Sequence, residues 1–157
     1  MAQTQPVKGN PWFAVGNKLG DRTLAQQMQG LDRLFAEVEG KTVLDVGCAE
    51  GLISIELAKA GAKEVNGIEI RRDAVEAARK TAWADPVVHD KKLYFNVFDA
   101  NTVEWAADED IVIMLAVLHK LKNPTAACAR IVAHALDLVV IRLPTELAPT
   151  IIHDRSG

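Results

Sequence analysis

The sequence predicts a doubly wound α/β domain, in which a mostly parallel β-sheet carries helices on both faces. Short apolar segments alternate with segments of helical periodicity along most of the chain. The apolar segments are nearly continuous, which is typical of parallel strands covered on both faces. With 157 residues, 49% of them hydrophobic, the chain is long enough for one such domain with a substantial core.

The N-terminal segment is predicted to be an arm outside the sheet domain. Proline and glycine interrupt residues 1–20 repeatedly, so regular structure is not expected there. Trp12 and Phe13 are apolar and should dock, either as a cover over a ligand or as a staple to the fold. We therefore expect an arm over residues 1–20 and a single domain over residues 21–157.

The first elements follow from helical spacing and from short β-branched runs. A helix is expected between Asp21, a potential N-cap, and Gly40, a potential C-terminal stop. Its apolar residues recur at helical spacing: Leu24, Met28, Leu31, Phe35 and Val38. A strand over 42–46, a helix over 52–60 and a strand over 64–70 should follow.

The same alternation continues through the second half. An Ala-rich helix over 73–82, whose first aspartate can act as the cap, precedes a strand over 92–98. An apolar strand is expected over 111–115, then a helix that begins at the Asn-Pro pair 123–124. A fifth strand is expected over 138–141. Parallel strands joined by helices complete the predicted sheet.

Composition and residue spacing argue against several classes of protein and of site. The 18 basic and 21 acidic residues leave a charge of −3, so a nucleic-acid partner is not indicated. No segment reaches the roughly 18–20 apolar residues of a membrane span, and no signal peptide is recognised. Cys48 and Cys128 are far apart and no metal-ligand spacing occurs, so no metal site is predicted. We expect a cytoplasmic protein with reduced thiols.

The sharpest motif is VLDVGCAEG, at the end of the first strand and the start of the next helix. Gly47 and Gly51 allow a tight turn and a close approach of the backbone to a ligand. The spacing Gly-x-x-x-Gly differs from the G-x-G-x-x-G of dinucleotide-binding domains. Asp45 would repel a diphosphate and suits a positive group such as an ammonium. The turn therefore predicts a ligand site that disfavours nicotinamide dinucleotides.

The run KTVLDVGCAEGLISIELAKAGAKEVNGIEI resembles the first two motifs of the class I, Rossmann-like S-adenosylmethionine-dependent methyltransferases. The resemblance implies that the turn with Gly47, Cys48 and Gly51 holds the methionine end of S-adenosylmethionine. It also implies that Glu69, which closes the second strand, binds the ribose hydroxyls and that Ile70 packs on the adenine. A carboxylate can accept hydrogen bonds from both hydroxyls of a ribose.

Two later segments are similar to further motifs of the same family. FNVFDA places Asp99 after the third strand, where the resemblance implies contact with the adenine amino group, beside the backbone of Ala100. In DIVIMLAVLHKLKNP, the resemblance implies that the strand end over 115–119, which begins at Leu115, meets the methionine part and the methyl acceptor. His119 is the candidate general base, with a surface or positioning role as the alternative.

The resemblance implies methyl transfer by in-line displacement, for which the protein mainly aligns the reactants and excludes water. No Asn/Asp-Pro-Pro-aromatic run follows the fourth strand, which favours an oxygen or carbon acceptor, with a small molecule as one candidate. The alternatives are a non-catalytic S-adenosylmethionine-binding module or partner subunit, and a nicotinamide-dependent dehydrogenase on the same scaffold.

The C-terminus departs from the family pattern of seven strands. Only TELAPTIIHDRSG follows the fifth strand region, which is too short for a helix and two strands. The last two strands are therefore expected to be missing, and the strand over 138–141 would be a bare apolar edge. Because such edges pair readily with other chains, we expect either a homo-oligomer formed through this strand or a chain that lacks a C-terminal segment.

Overall fold

The computed structural model describes residues 23–102, 104–105, 107–143 and 151–154. The predicted arm, with Trp12 and Phe13, lies outside these residues. The described strands are β1 (Thr42–Val46), β2 (Glu64–Glu69), β3 (Leu93–Val97), β4 (Glu109–Leu115), β5 (Ala135–Arg142) and β6 (Ile151–Asp154). The described α-helices are α1 (Leu24–Met28), α2 (Asp32–Glu37), α3 (Leu52–Lys59), α4 (Arg72–Ala84) and α5 (Pro124–Val132). None of these helices is long and apolar enough to cross a membrane.

The strands form one sheet in the order β3-β2-β1-β4-β5-β6. The first five strands are parallel, and β6 pairs antiparallel with β5. The doubly wound, mostly parallel sheet predicted from the sequence is confirmed. Because successive strands add to one side of β1 and then to the other, the strand order reverses between β1 and β4. Open α/β sheets bind ligands at the carboxyl ends of the strands beside such a reversal.

Two apolar layers cover the sheet, one on each face. The first layer joins the strands to the helices α2, α3 and α4 through fully buried side chains such as Leu34, Leu57 and Val75. The second layer packs Ile131 of α5 against Val112 and Met114 of β4. Each fully buried side chain of this size stabilises the fold by roughly 1.5–3 kcal/mol. This core holds the strand ends in a fixed register.

The predicted helix between Asp21 and Gly40 is wrong as a single element, because two short helices occupy its described part. Gly30 has a φ of +75°, a left-handed conformation that ends the run of α1 before α2 begins. Thr23 caps α1: its hydroxyl accepts from the backbone N–H of Gln26 at 3.2 Å. Asp21 lies outside the described residues.

Of the predicted starts of α4 and α5, one is wrong and the other is confirmed. The cap at Asp73 is wrong: α4 begins one residue earlier, after extended Arg71, and its N-terminus carries no side-chain cap. Asp73 instead lies in the first turn, where a negative charge favours the helix dipole. The start of α5 is confirmed, since the Asn123 side chain accepts from the N–H of Ala126 at 3.1 Å.

The prediction of a bare C-terminal edge is also wrong. Residues 151–154 form β6, whose register pairs Ile151 with Ile141 and Asp154 with Leu138. An antiparallel partner needs only a short return of the chain, so the segment after β5 is long enough for one strand. With β5 paired on both sides, the argument for a homo-oligomer through β5 no longer holds.

Candidate functional site

A cavity of about 460 Å³ opens at the carboxyl ends of β1, β2 and β4, where the strand order reverses. This size lies in the range of roughly 300–1,000 Å³ that is typical of small-molecule sites. Eight residues predicted for the site line this cavity together: Asp45, Gly47, Cys48, Glu69, Ile70, Asp99, Ala100 and Leu115. The fold thus brings four separate segments of the chain to one place.

Two predicted site residues are not among those that line the cavity. Gly51 precedes α3 with a φ of +80°, and a Cβ there would lie 2.6 Å from the Phe95 ring. Gly51 is therefore required for the turn and for close packing. His119 is exposed on the 3₁₀ turn over Leu118–Lys120, and partial burial and the Lys120 charge lower its pKa. Its role as a general base stays a prediction.

The turn after β1 requires glycine at Gly47. Its φ is +76°, and a Cβ there would lie 2.7 Å from the Cγ2 atom of Val117. The N–H groups of Gly47 and Cys48 both donate to the carbonyl of Ile68, at 2.8 and 3.1 Å. The turn is consequently held against β2 on one side and against the segment after β4 on the other.

Two alanines of the cavity wall have left-handed backbones that nothing in the sequence indicates. Ala49 has a φ of 49° and Ala116 a φ of 58°. Such a conformation costs about 1–2 kcal/mol per residue and is often found at functional sites. The N–H of Ala49 donates to Glu69 at 3.1 Å, and the N–H of Ala116 donates to the carbonyl of Arg142 at 2.8 Å. These bonds hold both strained residues in place.

The carboxylate of Glu69 is fixed from two directions. Its Oε2 accepts from the N–H of Ala49, and its Oε1 accepts from the N–H of Arg71 at 3.0 Å. A carboxylate has about four acceptor sites, so two backbone donors leave capacity for a ligand. Glu69 is thus a preorganised acceptor at the cavity wall.

Asp45 is a second carboxylate of the cavity and is deeply buried, with 3% exposure. Its Oδ2 accepts from the hydroxyl of Ser54 at 2.6 Å. Burial raises the pKa of Asp45 to about 6, and the nearby charge of Glu69 acts in the same direction. The Ser54 hydrogen bond and the Arg142 charge oppose this shift. Two acids at one small cavity favour a ligand with positive charge or hydrogen-bond donors.

The segment after β3 forms another wall. The Oδ1 atom of Asp99 accepts from the backbone N–H and the side-chain amide of Asn101, at 2.9 and 2.7 Å. These hydrogen bonds lower the pKa of Asp99, so it is ionised at neutral pH. The guanidinium of Arg130 donates to the carbonyl of Ala100 at 2.8 Å. Both predicted residues of this segment are therefore held in fixed positions.

Large apolar side chains at the rim complete the cavity. Ile70 is 59% exposed and Phe98 is 44% exposed, although both contribute to the cavity wall. The Phe98 ring lies edge-on to Trp105, with centroids 6.3 Å apart and an interplanar angle of 86°. Exposed apolar surface of this kind marks a binding surface for a flat, apolar group.

Sequence reasoning missed part of the lining. It did not single out Gln27, Lys120 and Leu121, which the structure places at the cavity. The side chain of Arg71, two residues after Glu69, also lines the cavity and pairs with a buried carboxylate. None of these positions carries a local motif, because they meet only after the strands are in register.

Residues 43–137 match a family model described as a methyltransferase domain. The chain belongs to this family. Similar curated proteins include ribosomal protein L11 methyltransferases. That of Tolumonas auensis is 40% identical over 72 residues, which are 46% of this chain and 24% of the relative. That of Aeromonas hydrophila is 37% identical over 94 residues, 60% of this chain and 31% of the relative. The matched part of this chain thus spans about a quarter to a third of the length of these relatives.

Solved structures agree on the fold. Magnesium protoporphyrin IX methyltransferase from Synechocystis PCC 6803, with bound S-adenosylmethionine, has a TM-score of 0.66 at 24% identity. The similarity covers 84% of this chain and 64% of that one. The [4+2]-cyclase SpnF has a TM-score of 0.64 at 22% identity, covering 84% and 49% of the two chains. The predicted Rossmann-like methyltransferase fold is confirmed.

The turn of the methyltransferase domain gives a prediction that separates backbone strain from steric clash. Gly40 and Gly47 have similar φ values of +72° and +76°, but a Cβ on Gly40 would meet nothing within 4 Å. Gly40→Ala should cost about 1–2 kcal/mol of unfolding free energy. Gly47→Ala should cost about 1–3 kcal/mol more, because Val117 must move. Urea unfolding measures the unfolding free energy of both variants. Equal losses in the two variants would show that Val117 moves at no energetic cost.

Because Asp45 is buried, its ionisation should lower the free energy of unfolding of the methyltransferase domain at neutral pH. The folded pKa of about 6 exceeds the ordinary value of 3.8, so the contribution of Asp45 to stability is full below pH 3.8. It is lost as the pH rises through 6. At pH 7.5, Asp45→Asn should therefore stabilise the unliganded protein by about 1–3 kcal/mol.

Unfolding by urea at pH 7.5 and at pH 4.5 measures this effect, with Glu76→Gln on the exposed face of α4 as the control. The gain from Asp45→Asn should shrink markedly at the lower pH, and the control should change neither value. A gain of equal size at both pH values would contradict the account.

Proposed function

We propose that this methyltransferase domain binds S-adenosylmethionine and transfers its methyl group to an oxygen or carbon acceptor. The observation that carries the proposal is the pair of carboxylates, Asp45 and Glu69, at one cavity beside the strand reversal. S-adenosylmethionine offers an ammonium group and a ribose diol, both of which donate hydrogen bonds to carboxylates. The residues of the cavity therefore fit this cofactor.

The nucleoside end of the cofactor would lie beside β2 and β3. Glu69 has remaining acceptor capacity for the two ribose hydroxyls, because in the described part of the chain two backbone N–H groups donate to its two oxygens. Ile70 and Phe98 offer apolar surface to the adenine ring. Asp99, ionised and held by Asn101, would accept from the adenine amino group.

The methionine end would lie beside the turn after β1. Asp45 would receive the ammonium group, and the turn of Gly47 and Cys48 allows the backbone to approach the ligand closely. A dinucleotide would place its pyrophosphate in the same region, against the charge of Asp45. This arrangement favours S-adenosylmethionine over a nicotinamide cofactor.

When bound, S-adenosylmethionine supplies a methyl group activated by its sulfonium. The chain contributes alignment: Glu69 and Asp45 hold the two ends, which fixes the position of the group between them. Leu115, Val117 and Leu121 give this part of the wall an apolar surface that excludes water. The segment after β4 lacks an Asn/Asp-Pro-Pro-aromatic run, which argues against the amino group of a nucleic-acid base or a protein glutamine and so supports an oxygen or carbon acceptor.

The names of the relatives support transfer of a methyl group. The curated relatives are called ribosomal protein L11 methyltransferases, and this chain spans a quarter to a third of their length. The proposal therefore takes from them the transferred group and leaves the acceptor to experiment. Ribosomal protein L11 and small hydroxylated compounds are the two acceptor classes to compare, with release of S-adenosylhomocysteine from S-adenosylmethionine as the assay.

Isothermal titration calorimetry with S-adenosylhomocysteine tests the proposed binding. The wild-type chain should bind it more tightly than NAD. Glu69→Ala should weaken binding by about 1.5–3 kcal/mol, the loss expected for hydrogen bonds to a charged group. Glu76→Ala, on the exposed face of α4, should leave the affinity unchanged.

Two results would refute the proposal. Tighter binding of NAD than of S-adenosylhomocysteine would point to a dehydrogenase-like site. An unchanged affinity in Glu69→Ala would show that the ribose hydroxyls are held elsewhere. Binding without methyl transfer to any acceptor would instead favour a non-catalytic module.

A further inference from the structure

Glu50 carries a buried carboxylate that does not line the cavity. It follows Ala49 in the turn after β1 and is only 3% exposed. Its Oε1 accepts from the Nη2 atom of Arg71 at 2.7 Å. Arg71 is partly exposed, with 35% of its side chain accessible, and it lines the cavity. A buried acid thus orients a guanidinium at the wall of the site.

Arg71 also contacts the proposed ribose-binding acid. Its backbone N–H donates to Oε1 of Glu69 at 3.0 Å, and its Nε atom lies 3.9 Å from the same oxygen. The other oxygen of Glu69 accepts from the N–H of Ala49. Ala49 therefore contacts Glu69, and its neighbour Glu50 contacts Arg71. Because Arg71 also contacts Glu69, the four residues form a closed ring of contacts.

The physical cost of burying Glu50 favours one arrangement of this ring. A carboxylate out of water is unfavourable unless it is paired and hydrogen-bonded. Rotation of Arg71 away from Glu50 would break that pairing, so the guanidinium is held in one orientation. The planar fork of arginine keeps this geometry better than a flexible ammonium would.

We propose that Glu50 and Arg71 are a positioning pair that fixes the Glu69 carboxylate for the nucleoside end of the cofactor. This inference rests on the proposed function, because it assigns the same cavity to S-adenosylmethionine. The pair acts on the nucleoside end alone. Its loss should therefore weaken binding of adenosine and of S-adenosylhomocysteine by the same factor, since both carry the ribose.

Calorimetry with these two ligands tests the pair in Glu50→Gln and in the double variant Glu50→Gln/Arg71→Gln. Each variant should bind both ligands about tenfold more weakly, because the guanidinium whose Nε atom lies 3.9 Å from Glu69 either loses its anchor at Glu50 or is absent. The double variant carries no charge at either position, so its melting temperature should stay near that of the wild type. A binding loss in a well-folded double variant reports on positioning.

Two comparison variants sharpen the result. Glu37→Gln breaks a Glu–Arg pair of the same 2.7 Å length on the surface of α2, and it should change neither affinity. Asp45→Asn should weaken the binding of S-adenosylhomocysteine and leave the binding of adenosine unchanged, because adenosine lacks the ammonium group. The two ligands thus separate the two ends of the cavity.

The inference is overturned if the double variant binds adenosine as tightly as the wild type, or if the loss is confined to S-adenosylhomocysteine. A wild-type chain that binds neither ligand would refute the proposed function and this inference with it. Wild-type binding together with unchanged variants would refute the inference alone.

Discussion

The carboxylate of Glu69 joins two segments of the chain that lie 20 residues apart in the sequence. Both of its recorded donors are backbone N–H groups, from Ala49 and Arg71. This arrangement depends on the parallel pairing of β1 with β2, which places Val46 opposite Ile68. The register of two buried strands therefore decides where the turn after β1 meets the acid at the end of β2.

Several features around the turn after β1 lower the stability of the fold. Asp45 and Glu50 are buried acids, and Ala49 and Ala116 have left-handed backbones. Each is unfavourable by itself, and each is held by partners that the fold supplies, such as Ser54 for Asp45 and Arg71 for Glu50. Local conflicts of this kind are expected where binding, rather than folding, selects the residue. The apolar layers on both faces of the sheet provide the offsetting stability.

The sequence predicted the five parallel strands because they are short, apolar and separated by helical segments. Strand β1 has the predicted bounds, whereas β4 begins two residues earlier than expected, at Glu109. An acid is not expected inside a strand, but Glu109 is buried with the Asn66 amide 3.1 Å from its carboxylate. The break at Gly30 was missed because an isolated glycine is often tolerated within a helix.

Site residues were predictable where they belong to a local sequence motif. They were not predictable where they meet only through long-range contacts. Gly47 and Glu69 belong to recognisable strand ends, so their place at the cavity followed from the sheet. Arg71 pairs with Glu50 across 21 residues, and this partnership depends on the strand register. The left-handed backbone of Ala116 has no sequence signal, since alanine gives no preference for that conformation.

A crystal structure of the protein with S-adenosylhomocysteine shows directly whether Glu69 binds the ribose. We expect both ribose hydroxyls within hydrogen-bonding distance of the Glu69 carboxylate, with the N–H groups of Ala49 and Arg71 still on the same oxygens, and the ammonium group beside Asp45. A ligand bound away from Glu69, or a Glu69 side chain released from both backbone donors on binding, would contradict this expectation.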